Sequence, residues 1–416
     1  MSFSIADAAH SAKRAARQVA NLSAPQKNQL LADIAQALVA NTHSILIANN
    51  KDVALGKENG LDEAMLDRLA LNAESIQGIA DAVLEIAGQE DPVGNIANIK
   101  RMPSGIQVGK MRIPLGVIAM IYESRPNVTI DAAALCLKAG NAVILRGGKE
   151  SLHSNLALAK CIEMALAKQQ LDPAAVVVVP DTDRAVMNEL MTLNESIDLI
   201  IPRGGEGLIR FVSENSRIPV IQHFKGVCHL YVDSAADEAK ALALLENGKT
   251  QRTGVCNSLE TLLVHQDIAP RFLPKAAALL AQHQTLVHAC ENSISYFNGA
   301  QHATKEDWHA EYLAMEIAVK VVVDFDQAIA HIEEYGSGHT EVIVSQDYSK
   351  TQAFIRRVDS AVVMANASSR FSDGGQLGLG AEIGISTSKL HAYGPMGAES
   401  LTTEKFIVMG DGEVRS

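Results

Sequence analysis

Short apolar runs alternate with helix-like segments between Val117 and Phe224, and this alternation limits the fold more than any other feature of the sequence. Consecutive strands that are joined by helical crossovers run parallel, with helices on both faces of the sheet. The pattern therefore predicts a doubly wound parallel sheet of five strands: Val117–Tyr122, Ala142–Leu145, Ala175–Val179, Ile197–Ile201 and Val220–Phe224. The predicted helices between them are Val128–Ala139, Ser151–Lys168, Arg184–Leu193 and Gly207–Glu214.

A second α/β unit is predicted after Gly226. Its strands are Cys228–Val232, Thr261–Val264, Val319–Val323 and Glu341–Val344, and its helices are Ala235–Asn247, Arg271–Gln282 and Asp326–Glu334. Residues 371–397 are rich in glycine and serine, and long loops of this kind are often functional.

Two further patterns flank these units. Apolar residues recur at helical spacing in Gln26–Ala40 and Ala73–Ile86, so residues 5–90 are predicted to be helical. Residues 99–111 alternate in polarity around a three-residue turn at 103–105, which predicts a β-hairpin, and Phe406–Met409 is a predicted final strand. A chain of 416 residues is too long for one compact core, so we expect two or three domains.

The composition argues against several classes of protein. Lys plus Arg number 36 and Asp plus Glu number 48, giving a net charge of −12, whereas generic nucleic-acid binding needs a basic surface. No apolar run approaches the roughly 20 residues of a membrane helix, and the N-terminal segment lacks the apolar core of a secretion signal. The five cysteines show no C-x-x-C spacing and the thirteen histidines no H-E-x-x-H pair. We therefore expect a reduced, cytoplasmic protein with no metal.

One cysteine stands in an unusual setting. Cys256 lies in a polar loop of small residues, Gly248–Ser258, between a predicted helix and a predicted strand, with Lys249 and Arg252 close by in sequence. Free cysteine has a pKa of about 8.5, and neighbouring positive charge raises the fraction of thiolate. A buried packing role is the commoner alternative for a cysteine. It suits three others: Cys136, Cys161 and Cys228.

Two glycine turns follow predicted strands. Residues 146–149, Arg-Gly-Gly-Lys, lie between a strand and a helix, where a doubly wound sheet binds nucleotides. Gly147 and Gly148 would allow close approach of a phosphate, with which Arg146 and Lys149 could pair. The alternative is an ordinary βα loop with surface charges. Residues 203–207 repeat the arrangement, and two such turns on one sheet indicate an extended ligand such as a dinucleotide. No full G-x-G-x-x-G motif follows a strand.

The end of the first strand carries a third candidate group. Pro126 holds Arg125 in extended geometry, so that Arg125 could bind a carboxylate or phosphate. The amide of Asn127 could donate to an oxyanion. The alternative is a surface arginine followed by an asparagine that caps the next helix.

Several of these stretches resemble the aldehyde dehydrogenase superfamily. They are Pro114–Ile118, Ala139–Arg146, the turn at Gly204, the Cys256 loop and Met315–Ile317. Three segments resemble the branch of that superfamily that reduces the acyl phosphate L-glutamyl 5-phosphate: Ile121–Thr129, Gln251–Asn257 and Gly380–Thr387. The resemblance runs essentially from end to end.

The resemblance implies an α/β fold with two doubly wound α/β domains and a small β oligomerisation element. Residues 1–97 and 115–225 would form the nucleotide-binding domain, and residues 226–400 the catalytic domain with the nucleophilic cysteine. Residues 98–114 and 401–416 would supply the oligomerisation strands. A homo-oligomer, dimer or tetramer, is expected.

The resemblance also implies NADPH as the cofactor. Arg146 occupies the place where the superfamily keeps a lysine beside the adenosine ribose, and Lys149 is a second cation that suits a 2′-phosphate. Glu316 matches the glutamate that binds the nicotinamide ribose. The implied cofactor-binding residues are Arg146, Gly147, Lys149, Gly204, Gly205 and Glu316.

The implied reaction is the NADPH-dependent reduction of L-glutamyl 5-phosphate to L-glutamate 5-semialdehyde and phosphate, through a thioester on Cys256, in the second step of L-proline biosynthesis. Oxidative members of the superfamily carry a glutamate base in an E-L-G-G-K segment. Residues 223–227 stand there instead and contain no glutamate, which fits a reductase that releases phosphate. His223 remains a candidate base. The candidates for binding substrate anions and the oxyanion are Arg125, Arg252 and Asn127.

The implied partners are a small-molecule substrate and the glutamate kinase that supplies the acyl phosphate, with no nucleic acid and no membrane. Two alternatives stay open. One is a hydrolytic or CoA-acylating aldehyde dehydrogenase. The other is a cysteine-dependent acyl transferase or hydrolase without a redox cofactor, against which the two glycine turns argue.

Overall fold

A computed structural model describes residues 3–415, which divide into two compact units. The first unit comprises the described residues up to Gln222, Gly378–Gly384, and the stretch that begins at Met396. The second comprises His223–Leu377 and Ile385–Pro395. Both units are mixed α/β structures with parallel sheets, so the predicted fold class is confirmed.

The first unit begins with helices. They are α1 (Ile5–Val19), α2 (Ala24–Ala40), α3 (Thr42–Glu58), α4 (Glu63–Leu69) and α5 (Ala73–Gly88). Local capping fixes the starts of α4 and α5: Asp62 accepts a hydrogen bond from the amide of Met65, and Asn72 forms a capping box with Ser75. The prediction of helices over residues 5–90 is confirmed.

The parallel sheet of the first unit follows a β-hairpin. The strands are β1 (Ile96–Arg101), β2 (Gln107–Pro114), β3 (Val117–Tyr122), β4 (Ala142–Arg146), β5 (Val176–Val178) and β6 (Leu199–Arg203). The helices are α6 (Asn127–Lys138), α7 (Leu152–Lys168), α8 (Arg184–Leu190) and α9 (Glu206–Asn215). Strand order in the parallel sheet is β5-β4-β3-β6, and every residue of β3 is buried.

The predicted fifth strand of this sheet is wrong. Val220–Phe224 forms no strand, and only an isolated bridge joins Val220 to Ile200. Two backbone hydrogen bonds flank that bridge, from Ile200 to Pro219 and from Ile221 to Ile200. Pairing ends there, so the parallel sheet has four strands.

The second unit contains a larger parallel sheet. Its strands are β7 (Cys228–Val232), β8 (Leu259–His265), β9 (Leu286–Ala289), β10 (Gln301–His302), β11 (Glu316–Val322), β12 (Thr340–Val344) and β13 (Val362–Ala365). Its helices are α10 (Glu238–Thr250), α11 (Ala269–Gln282), α12 (Lys305–Trp308), α13 (Phe325–Tyr335) and α14 (Tyr348–Arg357). The order is β10-β9-β11-β8-β7-β12-β13. The sequence pattern does not predict β9, β10 and β13. The predicted start of α10 is three residues too early, since Asp237 caps that helix.

Three strands close the chain: β14 (Gly384–Ser386), β15 (Gly394–Met396) and β16 (Thr402–Met409). Strand β16 pairs with β2 over eight residues, and β2 also pairs with β1, which makes an antiparallel sheet of three strands. The predicted hairpin and final strand are confirmed, whereas their role in oligomerisation remains a prediction.

Among the described residues, no single helix has the length and apolar character needed to cross a bilayer; α2 and α3, bent by 69° at their junction, meet those criteria only as a pair.

Candidate active site

Cys256 lies in the irregular loop between α10 and β8, in the second unit, and its side chain is half-buried. The segment before β7 lies against its backbone. Cys228 donates a hydrogen bond from Sγ to the carbonyl oxygen of Cys256 at 3.2 Å. A Cβ atom on Gly226 would be 2.0 Å from the same oxygen. The position of the Cys256 backbone therefore depends on a close approach that only glycine at 226 permits.

Asn257 connects this loop to the edge of the predicted glycine- and serine-rich segment. Its Nδ2 donates to the carbonyl oxygen of Ser372 at 2.9 Å, and the hydroxyl of Ser369 donates to the Asn257 carbonyl at 2.7 Å. Because Asn257 is buried and bonded on both sides, the residue after Cys256 has little freedom to move.

Two histidines lie beside the cysteine. One ligand-capable atom from each of His223, Cys256 and His339 lies within 4.8 Å of the other two. The two imidazole rings are 4.9 Å apart between centroids. His339 is fully buried, and burial, with a further contribution from His223, lowers the pKa of His339 to about 3, so this ring is neutral at physiological pH.

The hydrogen bonds of His339 define its tautomer. Thr340 donates its hydroxyl proton to Ser372 at 2.8 Å, so its oxygen accepts from Nδ1–H of His339 at 2.7 Å. The proton of the neutral ring is thus on Nδ1. Nε2 of His339 therefore carries no proton and presents a lone pair. It is buried and has no hydrogen-bond partner among the described residues.

Two arginines provide positive charge near the cysteines. Arg370 interacts electrostatically with Arg252, Asp373 and Cys256, and burial is the main reason that the pKa of its guanidinium is lowered. Nε of Arg370 donates to Gln251 at 2.9 Å, while Nη1 is buried without a hydrogen-bond partner in the described part of the chain. Arg252 is exposed. Arg252 is among the residues predicted from the sequence, whereas Arg370 is not, because it is far from Cys256 along the chain.

Lys249 does not have the role that its sequence position indicated. Its ammonium group pairs with Glu260 at 2.7 Å, and both side chains are fully buried. Burial lowers the pKa of Lys249 and raises the pKa of Glu260 to about 7. The carboxylate of Glu260 therefore offsets much of the positive charge of Lys249 that would act on the Cys256 thiol. This corrects the expectation that both Lys249 and Arg252 act on that thiol.

Glu316, at the start of β11, is half-buried and bonded to a histidine. Nε2 of His288 lies 3.1 Å from Oε2 of Glu316, and Nδ1 of His288 lies 3.1 Å from Asp307. The imidazole stacks on the ring of Tyr312 at 5.1 Å. Glu316 is predicted from the sequence, whereas nothing in the sequence indicates His288, because the two residues meet only through the pairing of strands β9 and β11.

The first glycine turn lies in the first unit, where β4 ends. Arg146 donates from Nη2 to the carbonyl oxygen of Thr182 at 2.7 Å, while its Nε is buried without a hydrogen-bond partner among the described residues. Gly147 is buried, and a Cβ there would be 2.2 Å from the side-chain nitrogen Nδ2 of Asn155. Lys149 is exposed. A cation with a donor that lacks a partner among the described residues thus lies beside a turn whose two glycines pack closely against side chains of the protein, Asn155 at Gly147 and Glu150 at Gly148.

The second glycine turn precedes α9. The amide of Gly205 donates to the carboxylate of Glu123 at 2.9 Å, and a Cβ on Gly204 would be 2.4 Å from that carboxylate. Apart from the chain neighbours of Gly205, no atom of residues 3–415 lies within 4 Å of the position that a Cβ on Gly205 would occupy. The N-terminus of α9 therefore holds an anionic group, here a carboxylate of the protein.

Asn127 and Arg125 also belong to the first unit. Asn127 is the first residue of α6, and its Nδ2 donates to Asp131 at 2.9 Å. Arg125 is half-buried and follows Ser124, whose φ of 31° lies in the left-handed region. The amide and hydroxyl of Ser124 both bond to Glu150, which holds this strained residue in place.

The predicted site residues thus fall into two groups. The second unit contains Cys256, Arg252 and Glu316. Lys249, in the same unit, interacts electrostatically with both Cys228 and Glu316. The first unit contains the rest: Arg125, Asn127, Arg146, Gly147, Lys149, Gly204 and Gly205.

Comparison with known protein families shows which family this chain belongs to. A model of the aldehyde dehydrogenase family matches residues 3–294, well over half of the chain. The chain belongs to the aldehyde dehydrogenase family. Members of this family are oxidoreductases that use a nicotinamide cofactor and act on small-molecule substrates. The predicted membership of the superfamily and the predicted class of enzyme are confirmed.

Individual members of the aldehyde dehydrogenase family are similar to this chain over nearly its whole length. A γ-glutamyl phosphate reductase of Colwellia psychrerythraea is 61% identical over 414 residues, which cover 99% of both chains. One from Idiomarina loihiensis is 59% identical, with 97% of each chain covered. The crystal structure of γ-glutamyl phosphate reductase from Thermotoga maritima superposes with a TM-score of 0.97 at 42% identity, covering 99% of this chain and all of that one.

Proposed function

We propose that this aldehyde dehydrogenase reduces L-glutamyl 5-phosphate to L-glutamate 5-semialdehyde and phosphate, with NADPH and a thioester on Cys256, in the second step of L-proline biosynthesis. The near end-to-end similarity to γ-glutamyl phosphate reductases supports the substrate. The observation that carries the chemistry is the half-buried cysteine thiol grouped with two imidazoles and close to a guanidinium group.

The thiol of Cys256 is the proposed nucleophile. Half-buried His223, within the same cluster, is placed to take the thiol proton, whereas His339 stays neutral and its Nε2 can only accept a hydrogen bond. The thiolate attacks the acyl carbon, the bond from that carbon to the phosphate oxygen breaks, and inorganic phosphate leaves. A thioester on Cys256 remains. Covalent catalysis of this kind replaces one difficult step by two easier ones.

The departing phosphate needs positive charge. Nη1 of Arg370 is a buried donor without a partner in the described residues, and the neighbouring guanidinium of Arg252 is exposed. A guanidinium binds phosphate or carboxylate through two parallel hydrogen bonds. We therefore assign Arg370 and Arg252 to the anionic groups of the substrate.

The residues of the first unit fit a phosphorylated dinucleotide. The unused Nε donor of Arg146 and the exposed ammonium of Lys149 suit a 2′-phosphate, which would favour NADPH. The amide of Gly205 bonds the Glu123 carboxylate, and a pyrophosphate at the N-terminus of α9 would take the place of that carboxylate. In the second unit, Glu316 is assigned to the nicotinamide ribose. When bound, NADPH supplies the hydride that converts the thioester to the semialdehyde.

The segment that replaces the hydrolytic glutamate is occupied by structural contacts. Lys225 donates to the carbonyl oxygen of His309 at 2.7 Å, and the amide of Gly226 donates to Glu311 at 2.9 Å. These contacts fix the backbone of the segment. The lack of a glutamate at residues 223–227 supports a reaction in which the thioester is reduced to the semialdehyde or returned to phosphate rather than hydrolysed.

Further partners are part of the same proposal. Every residue of β1 is exposed, and Phe406 and Val408 of β16 are 71% and 59% exposed, which supports burial of this sheet in a homo-oligomer. We place the enzyme in the cytoplasm. The acyl phosphate is labile, so association with the glutamate kinase that supplies it is also proposed.

Single-turnover release of phosphate tests the reaction. Enzyme mixed with L-glutamyl 5-phosphate, with nucleotide withheld, is expected to release at most one equivalent of phosphate and to gain a glutamyl adduct on the peptide that contains Cys256. NADPH should then allow full turnover, and Cys256→Ala should abolish the adduct. Absence of an adduct in the wild-type enzyme would contradict the thioester. Aldehyde oxidation that proceeds without phosphate, with water or CoA as acceptor, would contradict the assigned reaction.

A further inference from the structure

Three side chains of the second unit that are distant in sequence meet at one point: His223, Cys256 and His339. We propose that they form a capture site for a thiophilic divalent transition-metal ion, of which Zn²⁺ fits best, and that an ion bound there blocks Cys256. The binding of metal depends only on the geometry of these residues. The loss of activity rests in addition on the proposed function of Cys256.

The donor set is the one that Zn²⁺ prefers. Zinc in proteins is bound by thiolate at about 2.3 Å and by imidazole at about 2.0–2.1 Å, in a tetrahedral arrangement. In such a tetrahedron the donor atoms are separated by roughly 3.3–3.6 Å. Here the donor atoms of the three residues lie within 4.8 Å of one another. Changes of about an ångström in side-chain position would therefore complete the site without movement of the strands.

His339 is already arranged as a metal ligand. Ligand histidines almost always donate their second ring N–H to a fixed acceptor, which sets the tautomer and the orientation of the ring. Nδ1–H of His339 donates to Thr340, which is itself bonded to Ser372. The nitrogen left for a metal is Nε2, which is buried and has no hydrogen-bond partner among the described residues. A fully buried acceptor without a hydrogen-bond partner destabilises the folded protein unless a ligand or a solvent molecule bonds to it.

The fourth position stays open. Cys228 Sγ also lies close, 3.7 Å from Nδ1 of His339, but its thiol donates to the carbonyl oxygen of Cys256 at 3.2 Å. Three protein ligands with a water in the fourth position are typical of accessible zinc sites. Because Cys256 and His223 are only half-buried, an ion can enter and chelators can remove it. The expected effect is reversible inhibition.

The sequence gives no sign of this site. The three ligands lie in the segment before β7, the loop before β8 and the segment before β12, so no short spacing motif links them. The absence of C-x-x-C and H-E-x-x-H motifs, which predicted a protein without metal, does not address residues that only the fold brings together.

Cobalt(II) provides the probe, because its visible spectrum reports both tetrahedral geometry and a thiolate ligand. Titration of the reduced, full-length protein with Co²⁺ is expected to give one equivalent of binding, with intense d–d bands and a thiolate-to-cobalt charge-transfer band. Zn²⁺ should displace the cobalt and bleach both. His339→Asn and His223→Asn should each weaken binding by at least about tenfold, and Cys256→Ser should remove the charge-transfer band.

Two matched variants serve as controls. Cys290→Ser changes the other half-buried cysteine, whose Sγ lies 3.2 Å from Ser293, and His283→Asn changes a histidine that pairs with Glu246 at 2.9 Å. Both should keep the wild-type spectrum and affinity. Loss of the charge-transfer band in Cys290→Ser, or a wild-type titration in His339→Asn and His223→Asn, would overturn the assignment.

Activity is then measured in wild type and the control variants with Zn²⁺ present. Inhibition at the concentration that displaces cobalt, reversed by a chelator, is the expected result. Tight cobalt binding at Cys256 without inhibition would keep the metal site but refute the proposed function of the cysteine. Thermal unfolding of each metal-free variant shows whether it folds, and if His339→Asn does not, His223→Asn alone decides.

Discussion

Gly226 lies directly against the carbonyl group of Cys256: a Cβ atom on Gly226 would be 2.0 Å from the oxygen, 2.7 Å from the carbonyl carbon and 2.8 Å from Cα. All three contacts are with backbone atoms, so no side-chain rotation can relieve them. Any residue other than glycine at 226 must move the loop that carries the proposed nucleophile.

Gly226→Ala is therefore expected to damage both stability and activity. Overpacking of this kind typically costs about 1–3 kcal/mol of unfolding free energy, and a displacement of about 1 Å at a reacting atom can cost about 10²-fold in rate. Urea denaturation and steady-state kinetics measure the two effects. The matched control is Gly254→Ala in the same loop, since no atom in the described part of the chain, apart from its chain neighbours, lies within 4 Å of a Cβ placed there. Similar behaviour of the two variants would contradict the argument.

The sequence was sufficient for elements whose pattern is local. Strand β3 has the predicted bounds, because six consecutive apolar residues suit a strand that is buried on both faces. Val220–Phe224 also begins with apolar residues, as β3 does, but it pairs with Ile200 through a single bridge only. Apolar composition predicts burial, whereas the extent of pairing depends on the neighbouring strand.

The candidate site shows the same limit. Cys256 could be found because its own loop is polar and rich in small residues. His339 and Arg370 could not, because ordinary sequence surrounds them and only the fold brings them near the cysteine. The prediction that Lys249 acts on Cys256 is wrong because the sequence does not show its partner. Glu260, at the start of β8 after the loop, pairs with Lys249 only in the folded protein.

The buried pair of Lys249 and Glu260 gives a second prediction. Removing one partner of a buried ion pair leaves an uncompensated charge and typically costs about 3–5 kcal/mol, whereas replacing both with apolar residues is often close to neutral. Lys249→Met should accordingly be destabilised by that amount in urea denaturation. The double variant Lys249→Met/Glu260→Met should recover most of the loss. If the double variant is less stable than Lys249→Met, the buried charge is not the cause.

Asp131 gives a prediction for pH dependence. Burial raises the pKa of Asp131 to about 6, against opposing contributions from Asn127 and Arg203, while its ordinary value is 3.8. The folded protein therefore holds this proton more tightly than the unfolded chain does. Its contribution to stability is fully present below pH 3.8 and is lost as the pH rises through about 6.

Asp131→Asn removes this titration and keeps an oxygen to accept the hydrogen bond from Asn127. Between pH 4.5 and 7.5 the unfolding free energy of the wild type should fall by about 2 kcal/mol relative to that of the variant. Parallel denaturation series across this range measure the difference. A constant offset between the two proteins would show that Asp131 titrates at its ordinary pKa.

The contact between His288 and Glu316 gives the last prediction. Glu316 is assigned to the nicotinamide ribose, and His288 holds its carboxylate at 3.1 Å while bonding to Asp307 on the other side. His288→Phe would keep an aromatic ring to stack on Tyr312 but would remove both polar contacts. Because a hydrogen bond to a charged group is worth about 1.5–3 kcal/mol, the KM for NADPH should rise about tenfold or more, with a smaller change in the KM for the acyl phosphate. His283→Phe, at a histidine that pairs with Glu246, is the control and should leave both values unchanged. An equal rise in both KM values for His288→Phe would indicate a general disturbance of the second unit, and an unchanged KM for NADPH would show that Glu316 does not depend on His288 for its position.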